Sequence, residues 1–276
     1  LPLVVAGGLC FARHMKVIRF FSRLLPLGLI LFAVGCTTVS ETGRKQFNFM
    51  SPGQEMQLGF SEFDKMKKEV PISKDPAANA RVQRIGRRIA EAVGNEMPGA
   101  KWEFVVFDSK EFNAFALPGG KVGVYTGLMQ LAENDAELAA VIGHEIGHVI
   151  ARHGAERMSE AMVIAGVGAV GAAVVEAKTD DPRMRQLFAL AYGAGTTLGR
   201  VLPHSRGNET ESDRMGAIYA ARAGYDPRAA ITFWEKMGAK KRAAGAAGAK
   251  LEALLSTHPS DEQRIVQLRA LMPQVV

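Results

Sequence analysis

Two histidines four residues apart, His144 and His148, lie inside the apolar run ELAAVIGHEIGHVIARH, with Glu145 directly after the first. On a helix of 3.6 residues per turn, both imidazoles project from one face about 6 Å apart, so both nitrogens reach one zinc ion at about 2.0–2.1 Å. Glu145 stands about 100° further round the helix, where a carboxylate takes a proton from a metal-held water without itself becoming a ligand. The chemistry this spacing favours is metal-assisted hydrolysis. Two core histidines bonded to backbone would explain the residues less well, because Gly143 and Gly147 flank them. Each glycine costs a helix interior about 1 kcal/mol relative to alanine, so something must approach this helix closely.

A catalytic zinc needs a third protein ligand and an open position for water. The extended pattern H-E-x-x-H-x-x-G-x-x-H fails, because the chain has Ala151 and Gly154 where it requires glycine and histidine. His153 is therefore read as a solvated or backbone-bonded histidine. Cysteine is excluded, since Cys10 and Cys36 both precede the body of the chain. The remaining donors are Glu209, Glu211 and Asp213 in SRGNETESDRMG. Glu209 and Asp213 are i, i+4 and share a helix face, while Glu211 points away. One of that pair could bind the metal and the other hydrogen-bond a ligating histidine. Spacing alone leaves the choice open.

Asn134 with Glu137 resembles an N-cap and its capping-box partner for the helix bearing these histidines. Upstream, Ser51-Pro52 opens one helix and Pro76–Val93 forms a second; WEFVVF (102–107) reads as a strand, and 111–129 as two short strands around Pro118-Gly119-Gly120. Downstream, 161–175 carries no charge; at about 1.5 Å per residue it is too short for a ~30 Å hydrocarbon core, so it is read as a glycine-rich buried helix. Gly224 ends a helix, Asp226-Pro227 starts another, 238–250 is a frayed end or mobile loop, and Ser260 with Gln263 caps the last helix. The expected fold class is α+β, mainly α-helical, with a small β-sheet or hairpin beside the histidine-bearing helix.

The chain has 276 residues, 47% of them hydrophobic, enough for a real core. Its formal charge of +6 includes Arg13, Lys16, Arg19 and Arg23; beyond Cys36 there remain 30 basic against 28 acidic residues, which leaves no nucleic-acid footprint. MKVIRFFSRLLPLGLILFAVGC, from Met15, has the basic start and short apolar stretch of a signal peptide. Residues 1–35 are therefore read as a signal peptide (1–14 as a mis-called start), 36–48 as a lipidated polar tether and 49–276 as the catalytic domain. Ala33 and Gly35 before Cys36 resemble a bacterial lipobox, which makes Cys36 the lipidation site and a lipid anchor the contact with membrane. Thr37 after that cysteine resembles the sorting signal for the outer membrane of a Gram-negative cell.

HEIGH at 144–148, NAFALPGGKVGVYTGLM at 113–129, SRGNETESDRMG at 205–216, AGYDP at 223–227 and STHPSDEQRI at 256–265 together resemble the gluzincin metallopeptidases of the HtpX and CAAX prenyl protease type. More narrowly, the chain is similar to the periplasmic lipoprotein branch implicated in outer-membrane protein quality control. The resemblance implies a zincin-like fold and a zinc metalloendopeptidase holding one zinc ion through His144, His148 and Glu209. It implies Glu145 as general base, Asp213 as the partner of a ligating histidine, and Asn113, Ala114 and Phe115 on a substrate-binding strand near the cleft. His204 departs from the family's usual aromatic or aliphatic residue; it and Arg206 are candidate oxyanion donors, and His204 could instead occupy the open metal position. His258 matches a family histidine and is expected to make structural hydrogen bonds. Unfolded or misassembled proteins are the implied substrates and outer-membrane assembly factors further partners. A chaperone-like scaffold lipoprotein with a latent or structural zinc site is the competing expectation.

Overall fold

The computed structural model describes residues 36–179, 181–196, 202–244, 258 and 262–276. The leader expected at 1–35, residues 245–250 of the expected loop and the Ser260 cap lie outside them. The segment expected as a tether is folded: β1 (Cys36–Thr38) pairs antiparallel with β2 (Lys45–Phe47), and Val39, Gln46 and Asn48 are buried. An apolar residue in the turn and alternate burial along β2 fasten this hairpin to the body.

Helix α1 (Pro52–Glu69) opens with Ser51, whose hydroxyl accepts the Gln54 amide while the Gln54 side chain returns to the Ser51 N–H. This capping box satisfies two otherwise orphaned donors. Helix α2 (Pro76–Val93) starts on Asp75, which accepts from the Ala77 and Ala78 amides, with proline at a position that has no donor to lose. Its Val82, Ile85, Ile89 and Val93 recur at helical spacing and are all buried.

Between and beyond these lies a three-stranded sheet of order β3-β5-β4, formed by β3 (Glu103–Phe107), β4 (Ala114–Leu117) and β5 (Lys121–Tyr125). β3 and β5 run parallel, Glu103 opposite Lys121; β4 and β5 run antiparallel, Ala114 opposite Val124. The β4–β5 turn depends on Gly119 and Gly120, at φ 88° and 83°, a region that side-chain-bearing residues rarely enter. β4 is an edge strand and packs beside the histidine-bearing helix.

That helix, α4 (Asp135–Ile150), follows the short α3 (Thr126–Leu131) and begins as expected, with Asn134 accepting the Glu137 amide at 2.9 Å. The Glu137 side chain turns back to the Glu133 amide and also pairs with Lys236. α4 is buried almost throughout and packs most extensively on α7 (Leu202–Arg222); α8 (Ala229–Ala244) and α9 (Glu262–Val275) close the far side. Ile142, Ile146, Met215, Tyr219, Phe233 and Met237 fill the space between them. Burying each such side chain contributes about 1.5–3 kcal/mol, so the α4–α7 seam is the mechanical centre of the fold.

The expectation of a buried 161–175 helix is overturned. These residues belong to α5 (His153–Lys178), on which Met162, Val167, Val170 and Val174 are exposed. The glycines serve a different contact: Gly168 and Gly171 admit the rings of Tyr192 and Phe188 on α6 (Pro182–Thr196), and the Tyr192 hydroxyl donates to the Ile164 carbonyl. Glycine on one face therefore joins α5 to α6 and leaves the valines outside. α5 is long and apolar enough to cross a membrane by length and composition.

Candidate metal centre

The close approach that Gly143 and Gly147 implied is made by α7. A Cβ on Gly143 would fall 2.9 Å from the Gly216 carbonyl oxygen, and one on Gly147 would fall 3.1 Å from the Ser212 carbonyl oxygen. Glu209, Asp213 and Gly216 form an i, i+4, i+7 stripe of α7, so the glycine contact delivers both carboxylates to the histidines of α4.

The resulting cluster is tight and buried. His144 Nε2 lies 3.1 Å from His148 Nε2 and 3.3 Å from Glu209 Oε2, and His148 Nε2 lies 3.2 Å from Glu209 Oε1. Donors bound to one zinc at about 2.0–2.2 Å in a tetrahedron stand about 3.3–3.6 Å apart, so these separations fit a metal drawing the groups slightly outward. His258 adds Nδ1 at 3.2 Å from His144 Nε2 and 3.1 Å from Glu209 Oε2. Suitable atoms of His144, His148, Glu209 and His258 all fall within 4.8 Å of one another. His258, expected to be structural, thus stands at the fourth corner.

Glu145 is buried beside this group, and its Oε1 has no hydrogen-bond partner among the described residues. His258 Nε2 is 3.3 Å away, an ion-pair separation without hydrogen-bonding geometry. Burial raises the Glu145 pKa above the ordinary carboxylate range. A carboxylate in that setting takes up a proton more readily than one in water.

The other groups hold the cluster. Asp213 Oδ1 lies 2.9 Å from His144 Nδ1, a close but bent contact, and accepts from Arg264 Nη2 at 2.8 Å, while its Oδ2 accepts from Arg264 Nε at 2.7 Å. The same guanidinium puts Nη1 3.1 Å from Glu209 Oε2 and stacks on Trp234, its carbon 4.0 Å from the ring centroid. Burial opposes ionisation of Asp213, but the Arg264 charge and hydrogen bonds overcome it and bring the carboxyl down to about 2. Burial also opposes charging of His144; Asp213 and Glu209 outweigh it and push the imidazole up to about 9. His148 goes the other way, burial driving it well below the usual histidine value. Glu209 is lowered despite burial, by hydrogen bonds from the three surrounding imidazoles.

Several expected residues take other places. His153 is neither solvated nor backbone-bonded: it is fully buried, with Nδ1 2.8 Å from His148 Nδ1 and Nε2 2.8 Å from Glu211 Oε2. The extended zinc pattern gave no place to it; the chain does, because α4 ends at Ile150 and Arg152 turns the backbone through a left-handed conformation, φ 58°. Arg206 is exposed on the rim of a small recess shared with Glu209 and Gln263; Arg264 makes the contact to the acidic pair. The His204 side chain lies outside the described residues. Asn113 accepts the Tyr125 amide through its carbonyl, while Ala114 is buried and Phe115 packs against Phe63, Phe107 and Tyr125. The Ala114 and Phe115 side chains belong to the fold, and β4 lies at the sheet edge with β5 as its one strand neighbour among the described residues.

Arg264 is the residue that sequence reasoning missed. It shares a helix face with Leu268 and Leu271 on α9, where the pattern calls for an apolar side chain, and a charge at such a position signals a buried ionic partner.

Residues 76–272 match the model of peptidase family M48. The chain is 32% identical to the mitochondrial metalloendopeptidase OMA1 of Schizosaccharomyces pombe over 257 residues, covering 92% of this chain and 72% of that protein. It is 30% identical to the beta-barrel assembly-enhancing protease of Escherichia coli over 241 residues, covering 86% of this chain and 48% of that protein. A shorter match, 39% over 175 residues, reaches OMA1 of Arabidopsis thaliana, with 63% of this chain and 32% of that protein covered. The chain thus spans about half the length of its bacterial relative. An HExxH helix clamped through glycines to a carboxylate-bearing helix, within a family match covering most of the chain, makes this a metalloprotease that belongs to peptidase family M48.

Proposed function

We propose that the chain is a zinc-dependent endopeptidase of the bacterial periplasm, anchored through Cys36 to the outer membrane, that cleaves unfolded or misassembled outer-membrane proteins. The observation carrying the zinc assignment is the mutual spacing of the His144, His148 and Glu209 donor atoms. A bound zinc ion supplies Lewis acidity toward the scissile carbonyl and lowers the pKa of water. Glu145 takes the proton of the attacking water and returns it to the departing amine nitrogen, a transfer its raised pKa favours. Asp213 and Arg264 keep His144 oriented and Glu209 ionised. β4, an edge strand, receives the substrate as an added strand through main-chain hydrogen bonds, which suits loose recognition of extended, unfolded chains.

The relatives divide between mitochondrial enzymes and a bacterial protease named for β-barrel assembly. The signal-peptide pattern ending in Ala33-Val34-Gly35-Cys36 supports the bacterial side of that division. The test is Glu145→Gln, which retains one zinc per chain while its turnover of casein or an unfolded porin falls about 10²–10⁴-fold. Wild-type turnover by that variant would refute the base assignment.

His258 at the fourth corner favours a second reading, a chaperone-like or scaffold lipoprotein whose zinc site is habitually latent. That reading requires capture of outer-membrane assembly factors to survive Glu145→Gln and zinc chelation alike, with no hydrolysis by the wild type.

A further inference from the structure

The two histidines of α4 are braced differently. His144 turns its second nitrogen toward a carboxylate, Asp213, the usual partner of a metal-binding imidazole. His148 turns its second nitrogen to another imidazole, with Nδ1 of His148 and Nδ1 of His153 2.8 Å apart. One proton lies between two such nitrogens, and the assignment follows from chemistry. If His148 Nε2 presents its lone pair to a metal, the His148 proton resides on Nδ1 and is donated to His153 Nδ1. His153 then carries its own proton on Nε2 and donates it to Glu211 Oε2 at 2.8 Å. Glu211 is fixed in turn by Arg44, whose Nε donates to the same Oε2 at 2.7 Å, and by the Thr42 hydroxyl, which donates to Oε1. Arg44 is itself aligned by Glu156 through two parallel hydrogen bonds of 2.8 and 2.9 Å.

With that tautomer each link agrees with the next, and the Ser212 hydroxyl, 3.3 Å from His153 Nδ1, stands beside the same nitrogen. Thr42 and Arg44 lie in the connection between β1 and β2, so the far end of the series belongs to the N-terminal hairpin. Arg44 joins Glu211 on α7 to Glu156 on α5, and the left-handed turn at Arg152 sets His153 beneath His148. A hairpin needing only to be held down could use any surface contact. This one sends a guanidinium between two buried carboxylates, one of which, Glu211, also holds the imidazole set against His148.

We infer that Arg44, acting through Glu211 and His153, is a positioning residue that fixes the tautomer and ring orientation of His148 for metal binding. The inference rests on the proposed role of His148 as a zinc ligand. It makes the docked N-terminal hairpin part of the metal site, so that the segment directly after Cys36 sets how well the centre holds its ion.

The experiment measures zinc affinity by competition with a chromophoric chelator, together with the visible absorption of the Co(II)-loaded protein. It compares wild type, Arg44→Met, Glu211→Gln and the double variant, with metal-free melting curves for each. Arg44→Met and Glu211→Gln are each expected to weaken zinc binding about 10- to 100-fold and to alter the Co(II) spectrum. The double variant is expected to be no weaker than the worse single one, because both act along one series. Should Arg44→Met lose its metal-free melting transition, the isosteric Glu211→Gln gives the same reading. Zinc affinity within twofold of wild type and an unchanged Co(II) spectrum in a folded Glu211→Gln would overturn the brace, whatever happens to the melting temperature. A wild type that binds no zinc would instead sink the ligand assignment and the brace with it.

Discussion

Substituting Gly216 by alanine separates the metal site from the rest of the fold. The added Cβ would stand 2.6 Å from the His144 amide nitrogen, 2.9 Å from the Gly143 carbonyl carbon and 2.9 Å from the His144 Cα. All three atoms are backbone, so no rotamer change relieves the overlap. Bringing the shortest contact out to even a tight 3.4 Å parts α4 from α7 by about 0.8 Å at this point. Glu209 and Asp213 ride on the same face of α7, whereas ligand distances tolerate only about ±0.2 Å. Rotation of the Glu209 side chain recovers part of the gap, and the Asp213 contact to His144 Nδ1 recovers less, because Arg264 pins both Asp213 oxygens. The expected outcome is a loss of about 1–3 kcal/mol of stability from overpacking, read as about 2–4 °C of melting temperature per kcal/mol. Zinc affinity is expected to fall about 10- to 100-fold, measured by chelator competition. Gly207→Ala on the same helix is the control: a Cβ there meets nothing within 4 Å, and it should stabilise the protein by up to about 1 kcal/mol. If Gly216→Ala binds zinc as tightly as wild type and melts within about 1 °C of it, the glycine contact does not set the ligand geometry.

Two further outcomes follow from the same geometry. His258→Ala removes the Nδ1 atom at the fourth corner and leaves three donors, so the variant should keep one zinc per chain and hydrolyse casein several times faster; slower hydrolysis at full zinc content would instead make His258 a participant in the reaction. With His144 pushed up to about 9 in the metal-free protein, its imidazole is protonated at pH 7 and has no lone pair for a metal. Zinc uptake at pH 7 should therefore release a proton from this residue, and apparent affinity should fall about tenfold per pH unit on going down from about pH 9. Calorimetry in buffers of different ionisation enthalpy measures that release, and an affinity that stays flat from about pH 6 to 9 contradicts it.

Elements whose signals are local were legible in the sequence. Asn134 caps α4, Asp75-Pro76 starts α2, and Pro118-Gly119-Gly120 turns β4 into β5, because a cap or a turn is decided by a few neighbouring residues. The pair Gly143 and Gly147 gave away a close contact, and the i, i+4 spacing of Glu209 and Asp213 gave the face that makes it. What was not legible depends on partners distant in sequence. The glycines of α5 announced a packed helix equally well whether the partner was the core or α6, and only tertiary structure distinguishes them.

His153 and Arg264 show where a motif misleads and where periodicity informs. His153 was set aside because it falls off the extended zinc pattern, and one left-handed residue at Arg152 turns the chain after α4 so that it meets the second nitrogen of His148. Arg264 obeys the α9 periodicity, lying one turn before Leu268 and two before Leu271 on the buried face. A guanidinium there is stable only with its charge answered, and breaking such a buried pair costs about 3–5 kcal/mol. The arginine's position in the pattern therefore implies an acidic partner across the interface, and the buried acidic pair on α7 is the one it meets. Charged residues at core-facing positions of α4, α7 and α9 thus locate the metal centre more sharply than hydrophobic periodicity does, because each needs a counterpart that only the folded site provides.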